Sequence, residues 1–149
     1  MISENVRFVM IGGYAFNLYR NPRATGDIDF LVASDDDNER RLRSVLSQFG
    51  FESTLPTPDR RLLESGKVLM LGRSPLRIDL LTTIDGVTFD EVMATRQEFM
   101  IDNLRIPVIS AETLLVNKRA SGRPKDLADV EELMAYVRSR QGTAEQNDA

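Results

Sequence analysis

The stretch IGGYAFNLYRNPRATGDIDFLV, residues 11–32, decides the fold. It follows an apolar run, passes through the pair Gly12 and Gly13, and continues with apolar residues at helical spacing. It ends in a strand-like run that contains two acids, Asp27 and Asp29. This order predicts a strand, a tight turn, a helix, a loop and a second strand. The question it raises is why a strand needed for the core carries two carboxylates.

Strand periodicity places those two carboxylates together. Residues two apart in a strand point to the same face, so Asp27 and Asp29 project from one side and Ile28 from the other. Adjacent carboxylates repel each other, and a divalent cation between them removes the repulsion. Mg²⁺ is usually held by one or two carboxylates together with substrate phosphates. We therefore expect Asp27 and Asp29 to bind Mg²⁺ or Mn²⁺, the alternative being solvated acids at a strand end.

The glycine pair offers a phosphate site beside these acids. A helix N-terminus presents free backbone N–H groups and the positive end of the helix dipole. Glycine leaves that end open because it has no side chain. Gly12 and Gly13 are therefore candidates for phosphate binding, although a glycine pair by itself is more often only a turn.

A third acid interrupts the later apolar stretch PLRIDLLT, residues 75–82. Asp79 shares a strand face with Arg77 and Leu81. If this strand lies beside the Asp27 strand, three carboxylates meet, which suffices for two cations or for one cation and a general base. The alternative for Asp79 is a salt bridge to Arg77.

The composition limits the classes of protein. The chain of 149 residues has a net charge of −4 and contains no cysteine and no histidine, so a metal would be held by oxygen atoms. The net charge argues against broad non-specific binding to nucleic acid or membranes. We expect a single domain over residues 1–140 and a disordered polar tail over residues 141–149. Since no apolar run is long enough to cross a bilayer, we expect a cytoplasmic protein that does not contact membranes.

The remaining pattern predicts a mixed α/β fold of the α+β type: a mixed β-sheet with helices packed mainly on one face, plus two C-terminal helices. The predicted strands cover residues 6–11, 27–32, 51–55, 67–71 and 76–82, with a hairpin over 98–109. The predicted helices cover residues 14–19, 35–49, 89–95, 110–120 and 126–138.

These motifs resemble the nucleotidyltransferases of the DNA polymerase beta-like superfamily. Their pattern is a Gly-Gly or Gly-Ser turn, an Asp-x-Asp or Asp-x-Glu, and a third carboxylate on a later strand. The closer resemblance is to a small bacterial group related to AbiEii-type toxins and minimal nucleotidyltransferases. It is carried by residues 11–32 and by NKRASGRPKDLADVEEL, residues 117–133. Many active members have serine after the first glycine, where this chain has Gly13.

The resemblance implies a nucleotidyltransferase-like sheet and a metal-dependent enzyme. It would move a nucleoside monophosphate from a nucleoside triphosphate to a hydroxyl of a protein or RNA acceptor, in a toxin–antitoxin or phage-defence system. It also implies a cognate partner protein or a homo-oligomer. The implied catalytic and metal-binding residues are Asp27, Asp29 and Asp79. The implied nucleotide-binding residues are Gly12, Gly13, Arg23, Thr25, Lys118 and Lys125.

Other interpretations stay open at the level of sequence. The chain could be a catalytically idle nucleotide- or protein-binding module of a toxin–antitoxin pair, or an acid-cluster nuclease or phosphatase that uses water. Arg23 and Thr25 could instead brace the loop before Asp27. Asp126 and Asp129 are expected to cap and solvate the last helix.

Overall fold

The computed structural model describes residues 5–20, 26–51, 53, 55–57, 60–73 and 75–147. The described residues form a six-stranded sheet and five helices. The strands are β1 (Phe8–Ile11), β2 (Asp27–Val32), β3 (Val68–Arg73), β4 (Leu76–Leu81), β5 (Gln97–Ile101) and β6 (Leu104–Val108). The helices are α1 (Gly12–Tyr19), α2 (Asp36–Gln48), α3 (Phe89–Ala94), α4 (Ala111–Ser121) and α5 (Pro124–Asn147).

The sheet is mixed, with the strand order β3-β4-β2-β1-β6-β5. β1 pairs antiparallel with β2 and parallel with β6. β2 pairs parallel with β4, and the two hairpins β3–β4 and β5–β6 form the outer parts. The end of β1 and the beginnings of β2 and β4 therefore meet at one edge of the sheet.

Helices cover the two faces unequally. Buried residues of α1, α3, α4 and α5, such as Phe16, Val92, Leu114 and Leu133, belong to one core cluster. The core on the other face contains residues of α2, including Leu42. This arrangement confirms the predicted mixed sheet with helices mainly on one face and two C-terminal helices.

Local sequence signals account for most helix ends. Asp35 caps α2 by accepting a hydrogen bond from the Asn38 backbone N–H at 3.0 Å. Ser110 caps α4 in the same way, and Thr88 forms a capping box with Glu91 before α3. Gly122, at a φ of 66°, separates α4 from α5 because it adopts the left-handed conformation that ends a helix.

Several predicted elements or their bounds differ from the structure. The prediction of a strand over residues 51–55 is wrong for the described residues there, none of which is in a strand. α1 begins at Gly12, directly after β1. α5 extends to Asn147, where we expected a disordered tail, since this part of the sequence contains no proline that would end the helix. In the described part of the chain, no helix has the length and apolar character required to span a bilayer.

Candidate active site

The register between β2 and β4 brings the predicted acids together. Asp29 lies opposite Asp79, and Asp27 lies opposite Arg77. Neighbouring strands run about 4.8 Å apart, and side chains at paired positions share a face. That face is the one covered by α1, α4 and α5, because Leu31, two residues beyond Asp29, is buried in their core. The carboxylates of Asp27, Asp29 and Asp79 consequently line one cleft.

Gly12 allows α1 to begin directly against these acids. Its φ is +70°, and a Cβ atom at this position would lie 2.3 Å from Oδ2 of Asp29. A side chain here is thus excluded by both the backbone conformation and the approach of the carboxylate. The preceding residue, Ile11, provides no side-chain cap for α1. The first backbone N–H groups of α1, at the cleft wall formed by Gly12 and Gly13, are suited to binding an anion.

Arg77 joins the two strands through their acids. Its Nη2 atom lies 2.6 Å from Oδ2 of Asp27 and 3.2 Å from Oδ2 of Asp79, and its Nε lies 3.0 Å from Oδ1 of Asp79. The salt bridge between Arg77 and Asp79, which was the alternative interpretation of Asp79, is therefore present. The bridge to Asp27 comes from the strand register, which the sequence does not specify.

Asp29 is the carboxylate most affected by its surroundings. Burial, the negative charge of Asp79, a hydrogen bond with the Asp79 side chain and the charge of Asp27 raise its pKa to about 6, and Arg77 partly opposes this rise. A carboxylate in this environment is expensive to ionise without a nearby cation. A further cation beside Asp29 would therefore favour the ionised form of this carboxyl group.

The donor set suits a hard divalent cation, since all three groups offer carboxylate oxygens. Asp27 and Asp29 or Asp29 and Asp79 could contribute ligands from one face. Among the residues that the structure describes, however, no group of three acidic side chains already stands in a metal-binding arrangement. The guanidinium of Arg77 lies between Asp27 and Asp79 and supplies the positive charge there.

Lys118, which the resemblance implies to be a nucleotide-binding residue, contacts two acids of α5. Its side chain is buried, with Nζ 3.2 Å from Oδ1 of Asp126 and 2.9 Å from Oδ2 of Asp129. The ammonium also lies 5.5 Å from the centre of the Phe16 ring. The expectation that Asp126 and Asp129 are solvated at the end of a helix is wrong, because both are buried. They are one turn apart on α5 and hold Lys118 of α4 between them.

The more exposed cations of this region lie beside Lys118 on the same cleft. Lys125 is exposed, and Arg123 has 63% of its side chain exposed while its Nε lies 2.6 Å from Oδ2 of Asp126. Both can reach a ligand without leaving a buried carboxylate unpaired. An anion in the cleft could therefore contact either of them.

One cleft of about 750 Å³ collects the described members of the predicted site. Its lining includes Gly12, Gly13, Asp27, Asp29, Asp79, Lys118 and Lys125. Arg23 and Thr25 lie outside the described residues.

The lining also contains residues that the sequence analysis did not assign to a site, among them Asn117, Ser121 and Asp126. Asn117 donates from Nδ2 to the backbone carbonyl of Asp85 at 2.9 Å, and Ser121 Oγ lies 2.6 Å from Oδ2 of Asp126. Asn117 and Ser121 are one helical turn apart, so their shared face was the available signal.

Comparison with protein families gives one match over nearly the whole chain. The model of the family described as "Nucleotidyl transferase AbiEii toxin, Type IV TA system" matches residues 3–146. A search for curated relatives finds no match.

Solved structures with a similar fold include three nucleotidyltransferase-type proteins. An antigenic nucleotidyltransferase-like protein from Paracoccidioides brasiliensis aligns with a TM-score of 0.54 at 17% identity, over 91% of this chain and 69% of that protein. The lincosamide antibiotic adenylyltransferase LnuA, solved with lincomycin bound, aligns with a TM-score of 0.54 at 15% identity, over 91% and 90%. ANT(2")-Ia, solved with adenylyl-2"-tobramycin, aligns with a TM-score of 0.53 at 18% identity, over 94% and 91%. At these identities the similarity concerns the fold.

Proposed function

The chain belongs to the AbiEii nucleotidyl transferase family, and from that premise we propose that it transfers a nucleoside monophosphate from a nucleoside triphosphate to a hydroxyl of a protein or RNA acceptor. The observation that carries this proposal is the meeting of Asp27, Asp29 and Asp79 at the glycine-initiated end of α1 in one cleft. Carboxylates for a cation and N–H groups for phosphates are the two things that a metal-bound triphosphate requires.

In this proposal the nucleotide lies between the β2–β4 acids and the beginning of α1. Asp27 and Asp29 hold the cation, Mg²⁺ or Mn²⁺, that accompanies the triphosphate. The bound cation supplies positive charge next to the phosphates. Gly12 and Gly13 direct backbone N–H groups toward the terminal phosphates, and Lys125, which lines the same cleft, adds a cation.

The transfer step needs a base near the acceptor. The acceptor hydroxyl oxygen attacks the α-phosphorus, forming a new P–O bond, while the bond to the bridging oxygen breaks and pyrophosphate leaves with its electron pair. Asp79 accepts the hydroxyl proton. Its position opposite Asp29, on the neighbouring strand, supports this role.

The family description refers to a type IV toxin–antitoxin system, and we propose that this chain acts in such a system, with a cognate partner protein. The structurally similar LnuA and ANT(2")-Ia were solved with the antibiotic lincomycin and with an adenylylated tobramycin. Small hydroxyl compounds therefore belong in the acceptor test next to protein and RNA.

The experiment is transfer of label from the four α-³²P nucleoside triphosphates, with Mg²⁺, to cell-extract protein, to RNA or to small hydroxyl compounds. We expect labelling of protein or RNA by the wild type and its loss in Asp79→Asn, typically by about 10²- to 10⁴-fold for a general base. Asp102→Asn, in the exposed β5–β6 turn, is the matched control. A wild type that binds Mg²⁺ and nucleotide but labels no acceptor would favour the idle module instead.

A further inference from the structure

Arg77 lies inside the acid cluster. It projects from β4 between Asp27 and Asp79, with three nitrogen–oxygen distances of 2.6, 3.0 and 3.2 Å. Two of these contacts form a fork on Asp79, whose side chain is only 12% exposed. The guanidinium thus uses three of the carboxylate oxygens that face the cleft.

A divalent cation held by Asp27 and Asp29 would compete with Arg77 for the Asp27 carboxylate, and a role of Asp79 as ligand or base would compete with Arg77 for the Asp79 oxygens. Mg²⁺ requires ligand oxygens at about 2.0 to 2.1 Å in a near-octahedral arrangement. A guanidinium group held between Asp27 and Asp79 blocks that approach by its volume and by its charge.

We propose that Arg77 is a displaceable counter-ion, which closes the carboxylate site while it is empty and leaves when a divalent cation arrives together with an anionic nucleotide. This inference rests on the proposed function. The displaced guanidinium loses its contacts with Asp27 and Asp79 but remains at the cleft wall, where phosphate oxygens can replace them. Cation and nucleotide therefore bind cooperatively. The cation replaces the guanidinium at the carboxylates, and the phosphates replace the carboxylates as partners of Arg77.

The experiment measures Mn²⁺ binding by electron paramagnetic resonance, with and without a non-hydrolysable nucleoside triphosphate analogue. The proteins are the wild type, Arg77→Gln, Arg77→Lys and the control Arg105→Gln, which removes an exposed arginine from β6. For the wild type we expect weak Mn²⁺ binding alone and at least tenfold tighter binding with the analogue. Arg77→Gln should bind Mn²⁺ alone at least tenfold more tightly than the wild type and lose most of this coupling, and Arg105→Gln should behave as the wild type.

A second measurement follows Arg77 in the wild type itself and separates displacement from a simple loss of charge. The Arg77 Nε–H resonance of the ¹⁵N-labelled wild type, assigned by its absence in Arg77→Lys, should shift when Mg²⁺ and the analogue are added together. An unshifted resonance at saturation, or unchanged Mn²⁺ affinity in Arg77→Gln, would overturn the inference.

The two proposals fail in different ways. If the wild type binds Mn²⁺ with the analogue and Arg77→Gln shows no gain for Mn²⁺ alone, only the role of Arg77 is refuted. If the wild type binds no analogue under any condition but Arg77→Gln gains Mn²⁺ affinity, the proposed function and the displacement by nucleotide both fail, and only the competition between Arg77 and the cation stands.

Discussion

Gly12 is held to glycine both by its backbone conformation and by the nearby carboxylate of Asp29. The substitution Gly12→Ala places a Cβ 2.3 Å from the Asp29 carboxylate at a φ of +70°. We expect it to abolish nucleotide binding and to destabilise the protein by more than the roughly 1 to 2 kcal/mol that a left-handed conformation alone costs. Urea unfolding and calorimetric titration with nucleotide measure the two effects.

Gly50→Ala is the control for the backbone contribution. Gly50 has a φ of +86°, and a Cβ atom added to it would meet no other side chain or distant backbone atom within 4 Å. This variant should lose only the conformational contribution and keep nucleotide binding. If Gly12→Ala and Gly50→Ala lost the same free energy of unfolding, the contact with Asp29 would contribute nothing to the destabilisation.

Asp29 should make the stability of the empty protein depend on pH. Its pKa of about 6 in the folded protein exceeds the reference value of 3.8. Between these values the folded state binds more protons than the unfolded state, so this contribution to stability is present below about pH 4 and is lost as the pH rises through 6. Asp29→Asn cannot ionise and should escape the loss.

The measurement is the free energy of unfolding of wild type and Asp29→Asn from pH 4 to pH 8, in EDTA. The difference should grow in favour of Asp29→Asn up to about pH 6 and then stay constant, while Asp102→Asn follows the wild type at every pH. A difference that is the same at pH 4 and pH 8 contradicts the proposed cause.

At the residue scale, the sequence was informative where one strand's periodicity sufficed. The shared face of Asp27 and Asp29, and the pairing of Arg77 with Asp79, both follow from a period of two. The contact between Arg77 and Asp27 depends on the β2–β4 register. Residues 50 positions apart in sequence carry no local sign of that register.

At the scale of elements, the Lys118 cluster joins α4 to α5. Lys118→Met should destabilise the protein strongly, by about 3 to 5 kcal/mol, because it removes the buried ammonium that contacts the buried carboxylates of both Asp126 and Asp129. Urea unfolding measures this loss. The main effect of the substitution is thus on folding, with nucleotide affinity affected secondarily.

Lys125→Met provides the comparison for a lysine exposed on the same cleft. It should change stability by no more than about 0.5 kcal/mol and weaken nucleotide binding. If both variants unfolded at the same urea concentration, the buried cluster would have no structural role.

The misinterpretation of Asp126 and Asp129 has a physical origin. Aspartates near the beginning of a helix usually cap it or favour the positive end of its dipole. Here their partner is on another helix, and only the antiparallel packing after Gly122 brings Lys118 between them. A buried charge network of this kind is specified by tertiary structure.

At the scale of the whole molecule, hairpins and capping signals were predictable, since they are local. The β5–β6 turn at Asp102 and Asn103, both with positive φ, is an example. The two parallel pairings, β1 with β6 and β2 with β4, join strands distant in sequence and were not predictable from it. The second of them nevertheless creates the site, because it places Asp79 against Asp29.

The cleft as a whole should recognise nucleotide only together with a divalent cation. Without the cation, the carboxylates of Asp27, Asp29 and Asp79 repel the phosphates, and Arg77 stays engaged with two of them. Calorimetric titration with ATP and GTP should therefore give binding in Mg²⁺ and none in EDTA.

The same binding should raise the stability of the protein. Free nucleotide at 100 times its dissociation constant should stabilise the fold by about 2.7 kcal/mol, which corresponds to a rise in Tm of roughly 5 to 10 °C. The double variant Asp27→Asn with Asp29→Asn should show neither binding nor the rise in Tm, and equal affinity of the wild type in Mg²⁺ and EDTA would mean that the acids do not act through a cation.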